Sequence, residues 1–362
     1  MDTAATNTTL QAQAPGKLIL LGEYAVLRGA PALVMAINRY ARIFLQPSPD
    51  GQGIIIAPDV GIHNLYYQWD DQQGVVLDHT ADTHTVAFVK AALAIMHQRY
   101  NMSPLRITIS SAEFFYQNTR TKLGLGSSAA VTVGLIAALL KWGSPSSFPI
   151  DDAFRLTVFE LALATHRQAQ GNQGSGIDIA ASTFGGVLQY TMPVISTQLP
   201  PEIRAMSIPT GLYLRFIWTR QAAATTELLH QVNKLRDTHP VTFRQIFSQL
   251  IYLAEQGALH FQHQDVPAFL EIVEQYYQTL KTLTKAASAP IISEVHQQIH
   301  AIAHRHHAVY KPSGAGGGDF GILLAQNEFN VIDAVRELEK KGFISFNFQI
   351  DPRGVSTNER GD

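Results

Sequence analysis

The sequence predicts an α+β protein of two lobes, on three observations. Short apolar runs of strand length alternate with longer runs of helical spacing in both halves of the chain. A stretch between Tyr190 and Gly211 carries Pro193, Pro200, Pro201 and Pro209 with little periodicity, as a connection between lobes does. Glycine is concentrated in three separated segments, each leading from one regular element into the next. With 362 residues, each lobe has enough chain for its own core. The expected division is a flexible polar tail over 1–13, an N-terminal domain over 14–200 and a C-terminal domain over 201–362.

In chain order, apolar runs between Lys17 and Ile109 read as strands, and Thr83 to Tyr100 reads as a helix. In that helix Val86, Phe88, Val89, Leu93 and Met96 recur at helical spacing. A second helix is expected from Ser128 to Leu140, and GSPSSFPIDD then breaks the chain. The acids that follow cap a third helix, Asp151 to about Gln170. Past the proline-rich connection come a strand at Leu212 to Trp218 and three helical stretches over Thr225 to His307. A strand at Gly321 to Leu324, a helix at Val331 to Lys341 and an alternating strand at Phe343 to Ile350 complete the second lobe.

The segment KLGLGSSAAVTVGLIAALL, Lys122 to Leu140, runs a small-residue loop into an apolar helix. Gly124 and Gly126 let backbone amides approach a ligand, Ser127 and Ser128 add hydroxyls, and the helix N-terminus favours an anion. The other two glycine segments are APGKLILLGEYAVLRGAPALV, opening at Ala14, and KPSGAGGGDFGILLA, Lys311 to Ala325. Glycine at that density needs a steric reason such as backbone packed against a ligand, so the three segments are expected to form one composite site.

These three segments resemble, in order and spacing, the motifs of the GHMP small-molecule kinases, and the resemblance runs from about Ala14 to Ile350. It implies an N-terminal domain like ribosomal protein S5 domain 2, a ferredoxin-like C-terminal domain, and a site in the cleft between them. It also implies ATP and Mg²⁺ as cofactors. The segments ATHRQAQGNQGSGIDIAASTFGG and WTRQAAATTELL resemble the branch that phosphorylates 5-phosphomevalonate to 5-diphosphomevalonate, in the mevalonate route to isoprenoids. Members acting on mevalonate tend to carry a Glu where this chain has His166. Mevalonate, or the tertiary hydroxyl that decarboxylating members phosphorylate, remains the alternative acceptor.

Carried over residue by residue, the resemblance places Gly124, Leu125, Gly126, Ser127, Ser128 and Ala129 around the ATP phosphates, with Ser128 as the metal ligand and Ser127 as its alternative. Lys17, Lys122 and Asp178 are the expected catalytic residues. An acceptor phosphate is already ionised at neutral pH, so Asp178 is expected to orient Lys17 and the acceptor more than to remove a proton. Lys17, Ser175, Gly176, His166, Gln170, Ser313, Gly314, Ala315, Gly316 and Asp319 are the expected substrate contacts. Glu23 is expected to pair with Lys17 or to finish a turn, and Arg220 stands where the family usually has glycine.

Composition excludes other classes. Hydrophobic residues at 46%, charged residues at 15% and a net charge of −2 describe a globular chain with no basic face for nucleic acid. The longest apolar segment, Val131 to Trp142, is shorter than the ~20 residues a bilayer requires, so no membrane partner is expected. No cysteine is present, which suits a reducing cytoplasm. The N-terminus lacks the basic and apolar regions of a signal peptide. The chain is expected to work as a monomer or homodimer. GLGSSA also satisfies a dinucleotide fingerprint, but it does not sit between the first strand and helix of a βαβ unit. The histidines at 304, 306 and 307 read as the solvated end of a polar helix.

Overall fold

The computed structural model describes residues 9–48, 50–70, 74–78, 84–117, 119–144, 150–169, 171, 174–193 and 200–360. The first lobe is built from β1 (Thr9–Leu21), β2 (Pro31–Pro47), β3 (Gly53–Ala57), β4 (Ile62–Asp70), β5 (Gly74–Leu77), helix α1 (His84–Tyr100) and β6 (Leu105–Ser110). A short hairpin, β7 (Phe115–Tyr116) and β8 (Thr121–Lys122), leads into α2 (Ser127–Gly143), followed by α3 (Asp152–Ala169), α4 (Ile177–Phe184), β9 (Val187–Thr191) and β10 (Glu202–Met206). The second lobe holds β11 (Tyr213–Trp218), α5 (Thr225–Thr238), α6 (Pro240–Gln262), α7 (Val266–Ala287), α8 (Glu294–Arg305), β12 (Val309–Pro312), β13 (Phe320–Ala325), α9 (Glu328–Lys340) and β14 (Ile344–Phe346). The final strand, β15 (Ser356–Arg360), returns to the first lobe.

β2 organises the larger sheet: it pairs with β1 along one edge, and with β9 and then β6 along the other. α2 packs on β1 and β2 and against both α1 and α3, and its residues from Ala129 to Leu140 are all buried. β4 alternates buried and exposed positions, the mark of a sheet wet on one face, whereas β1 from Pro15 to Leu21 is buried throughout. The second lobe lies over that end of β1: a Cβ on Gly257 of α6 would stand 2.1 Å from the Leu21 side chain. In the second lobe the order β12-β13-β11-β14, all antiparallel, is the ferredoxin-like arrangement, with α9 crossing between β13 and β14. The α+β, two-lobed expectation holds.

Four particulars differ from the expectation. Thr9–Gln13 is no tail but a strand, paired with Ser356–Arg360 on one side and with β2 on the other, while residues 1–8 lie outside the described residues. The change of sheet falls beyond residue 200, because β10 still pairs with β9, and β15 also lies in the first sheet. Four helices, not three, lie between β11 and β12, since Pro240 takes the first turn of α6, where its missing N–H costs nothing. The last alternating run is strand only over Ile344–Phe346, and Phe348 turns into a cluster with Phe216, Phe320 and Phe346. Among the described residues no helix is long and apolar enough to cross a membrane.

Candidate functional site

The first two glycine segments are joined by backbone. The Lys17 N–H donates to the Leu125 carbonyl at 2.9 Å, and a Cβ on Gly16 would stand 2.8 Å from that oxygen. Leu125 and Ala129 are wholly buried, so both face the core and offer only main chain to a ligand. Gly126 caps α2 in the left-handed region, at φ 78°. The stem of Lys17 crosses it, with Cε 3.1 Å from where a Cβ would be. The lysine therefore lies over the amide-rich end of α2, with Ser127 and Ser128 half-buried beside it.

Lys17 Nζ lies 3.4 Å from Asp178 Oδ2, the lysine nearly buried and the carboxylate about a third exposed. Asp178 sits in the first turn of α4 without capping it. The cap is Gly176, whose φ of 83° and proximity to Leu163 and the Tyr190 hydroxyl leave no room for a Cβ. Ser175 is buried, its carbonyl accepting from the Tyr190 hydroxyl and its own hydroxyl accepting from the Ile177 N–H at 3.4 Å. His166 is buried on α3 and stacked on Phe88 at 4.9 Å, with Nε2 unpartnered. Burial lowers its pKa, and the negative charge of Asp178 opposes that shift in part. Gln170 lies outside the described residues.

The third segment meets the second at Asp319. A Cβ on Gly124 would fall 2.2 Å from the Asp319 carboxylate, so only glycine fits there. The aspartate is cradled by the turn after β11. Its N–H donates to the Gln221 carbonyl at 2.6 Å, its carbonyl accepts from the Thr219 N–H at 2.9 Å, and its carboxylate accepts from the Ala223 N–H at 3.3 Å. Burial raises its pKa, while the Ala223 N–H and the charges of Lys17 and Lys122 pull it down. Lys122 is exposed at the end of β8. Tyr116 of the same hairpin packs at 4.8 Å on Trp218, at the end of β11. Arg220, at the tip of the cradling turn, holds φ 61°, a conformation that explains why glycine suits the position.

The rest of that loop faces inward more than expected. The Ser313 hydroxyl accepts from the Ile19 N–H at 2.9 Å and donates to the Ile19 carbonyl at 3.0 Å, so it clips the loop to β1. A Cβ on Gly316 would meet the Ile291 carbonyl at 2.3 Å, whereas one on Gly314 would point into open space. The Ala315 carbonyl accepts from the Tyr24 hydroxyl at 2.5 Å. Glu23 pairs with Lys311, not with Lys17. That partner carried no sequence signal, since a lysine is ordinarily a surface residue and Lys311 is wholly buried. Of the terminal histidines, His304 and His307 are exposed as expected, while His306 Nε2 lies 2.8 Å from Glu337. Among the described residues no cluster of metal-ligating side chains occurs.

The geometry thus unites Lys17, Gly124, Gly126, Asp178 and Asp319 around one amide-rich helix end bearing two serine hydroxyls. It can hold polyphosphate beside a paired cation and carboxylate. Residues 87–186 match the family profile described as GHMP kinases N terminal domain. The chain is 27% identical over 348 residues to the phosphomevalonate kinase of Streptomyces sp. (strain CL190), covering 88% of this chain and 91% of that one. It is 29% identical over 333 residues to the mevalonate kinase of Archaeoglobus fulgidus, covering 91% and 98%. Its fold matches that of Streptococcus pneumoniae phosphomevalonate kinase in complex with phosphomevalonate and AMPPNP, with a TM-score of 0.74 at 20% identity, over 94% of this chain and 99% of that one.

Proposed function

From the premise that the chain belongs to the GHMP kinase superfamily, we propose that it transfers the γ-phosphoryl group of ATP to the phosphate of 5-phosphomevalonate. The observation that carries the acceptor is His166, a buried imidazole of lowered pKa beside Asp178. Bringing an acceptor phosphate up to a triphosphate concentrates negative charge, and a second carboxylate at this position would add to it. A neutral ring does not.

The acceptor phosphate, with a second pKa of ~6, is an oxyanion at neutral pH and has little need of a base. Catalysis then rests on position and charge. Lys17 neutralises the transferring group and the acceptor oxygen, and Asp178 holds its ammonium. Lys122 flanks the phosphate loop, and Asp319 braces Gly124 so that the amides of α2 stay aimed at the phosphates. The donor set fits Mg²⁺ arriving with ATP, because that ion retains waters and needs few protein oxygens. Ser128, with Ser127 and Asp178 at hand, would hold it, and it would neutralise phosphate oxygens. His166 would be a poor ligand for it.

A second reading, with mevalonate as acceptor, is favoured by the Archaeoglobus relative. Phosphorus NMR of the product separates the two. The proposal expects the coupled resonances of a diphosphate ester from 5-phosphomevalonate, and a monophosphate ester made from mevalonate would overturn it.

A further inference from the structure

We infer that the buried Glu23–Lys311 ion pair is a positioning device for the ATP phosphate site, holding the third glycine segment in register with the first so that Asp319 keeps bracing Gly124. The inference rests on the kinase reading. Glu23 follows β1, and Lys311 lies in β12; they are 2% and 0% exposed, and they join segments 288 residues apart. Lys311 Nζ donates to Glu23 Oε1 and, at 2.6 Å, to the Pro312 carbonyl, while the Gly314 N–H approaches the same Glu23 oxygen at 3.4 Å. The pair therefore ends on the backbone of the one loop glycine whose Cβ position is open.

Two further observations point to register and not to stability. Glu23 Oε2 is buried without a partner, so the pair leaves acceptor capacity unmet. A buried ion pair is often no more stabilising than apolar side chains of equal size, and the best-attested use of such groups is to fix an arrangement. Tyr24 takes φ 63°, a strained conformation for a bulky residue, and its hydroxyl reaches the Ala315 carbonyl. The Ser313 clip to Ile19 ties the same two motifs again, while the Tyr276 hydroxyl of α7 holds the Glu23 carbonyl at 2.6 Å. Asp319, which braces Gly124, follows five residues after Gly314.

The test separates register from stability. Glu23→Gln and Lys311→Met are made singly and together, and melting temperature is measured with affinity for a non-hydrolysable ATP analogue. Each single variant leaves a buried charge or donor unmatched and melts earlier. The double variant is expected to recover most of the melting temperature while binding the analogue about tenfold more weakly, because the loop is no longer held in place. Recovery of both together would make the pair purely structural and overturn the proposal. Glu23→Asp keeps the charge and shortens the reach. It is expected to melt earlier than the parent, as the shorter side chain draws back from Lys311, and to bind the analogue several-fold more weakly (~3–10-fold), and parental affinity would also overturn the proposal. Analogue binding needs no acceptor, so this readout stands apart from whether 5-phosphomevalonate is the substrate.

Discussion

Replacing Lys17 with Met removes the central cation while leaving its stem over Gly126. At 3.4 Å from Asp178, the gross attraction is about 5 kcal/mol at an effective dielectric constant of ~20. Most of that is offset in the resting enzyme, since Lys17 is nearly desolvated and Asp178 stays about a third exposed, so stability changes by no more than ~1 kcal/mol. For a chain of 362 residues that is a melting shift of about 1–2 °C at most. In the proposed reaction the ammonium faces charge on donor, acceptor and transferring group at once. Loss of one such stabiliser costs about 3–4 kcal/mol, or roughly 10²–10³-fold in turnover. Steady-state kinetics with 5-phosphomevalonate, beside calorimetric melting, reads both numbers. Asp178→Asn is expected to lower turnover by less, about tenfold, because it orients the lysine without removing a proton. An equal collapse of the two variants, or a Lys17→Met enzyme within tenfold of the parent, would refute this division of roles.

Gly124→Ala drives a Cβ to 2.2 Å from the Asp319 carboxylate at φ 74°. It should lose about 1–2 kcal/mol from backbone strain and roughly 10²-fold in kcat/KM, checked by denaturant unfolding and kinetics. Gly316→Ala meets the Ile291 carbonyl, which is main chain and cannot swing away, so it should destabilise by at least ~2 kcal/mol in the same unfolding assay. Arg220→Gly relieves a φ of 61° and should raise stability by about 0.5–1 kcal/mol after the added entropy of the unfolded glycine, read as a higher denaturation midpoint. His296 is wholly buried with its pKa pushed down to about 4, chiefly by burial, and its Nδ1 is 2.9 Å from the Tyr310 hydroxyl. A histidine depressed in the fold takes its proton first in the unfolded chain. Its contribution is therefore lost as pH falls from about 6.5 toward 4, by about 3 kcal/mol. Unfolding free energies of the parent and His296→Gln should converge across that window as the parent loses stability, and parallel curves would count against it.

The geometry of the glycine segments was legible where it depends on local backbone. Gly124, Gly126 and Gly176 all hold positive φ at a close approach or a helix cap, and glycine announces that need in sequence. α1, α2 and α3 were placed within one to three residues at each end, because apolar periodicity and breakers are local signals too. Partners distant in sequence were not legible. Pairing of Thr9–Gln13 with Ser356–Arg360 is specified by burial of Leu10 and Ala12 on a sheet that exists only after folding. Glu23 could be singled out as a polar residue in a motif, but its match with Lys311 depends on how two lobes dock. His166 was expected as a substrate contact, and only the fold shows it stacked on Phe88 and buried.

The acceptor is the centre of the account, and one experiment addresses it most directly. The purified chain is supplied with ATP and Mg²⁺ and offered mevalonate, 5-phosphomevalonate or 5-diphosphomevalonate in parallel, with ADP and CO₂ followed in each. ADP release with 5-phosphomevalonate alone, and no CO₂, is the predicted result. Turnover with mevalonate in its place would mean that the neutral His166 does not mark an anionic acceptor, and CO₂ from 5-diphosphomevalonate would assign the chain to the decarboxylating members of the superfamily.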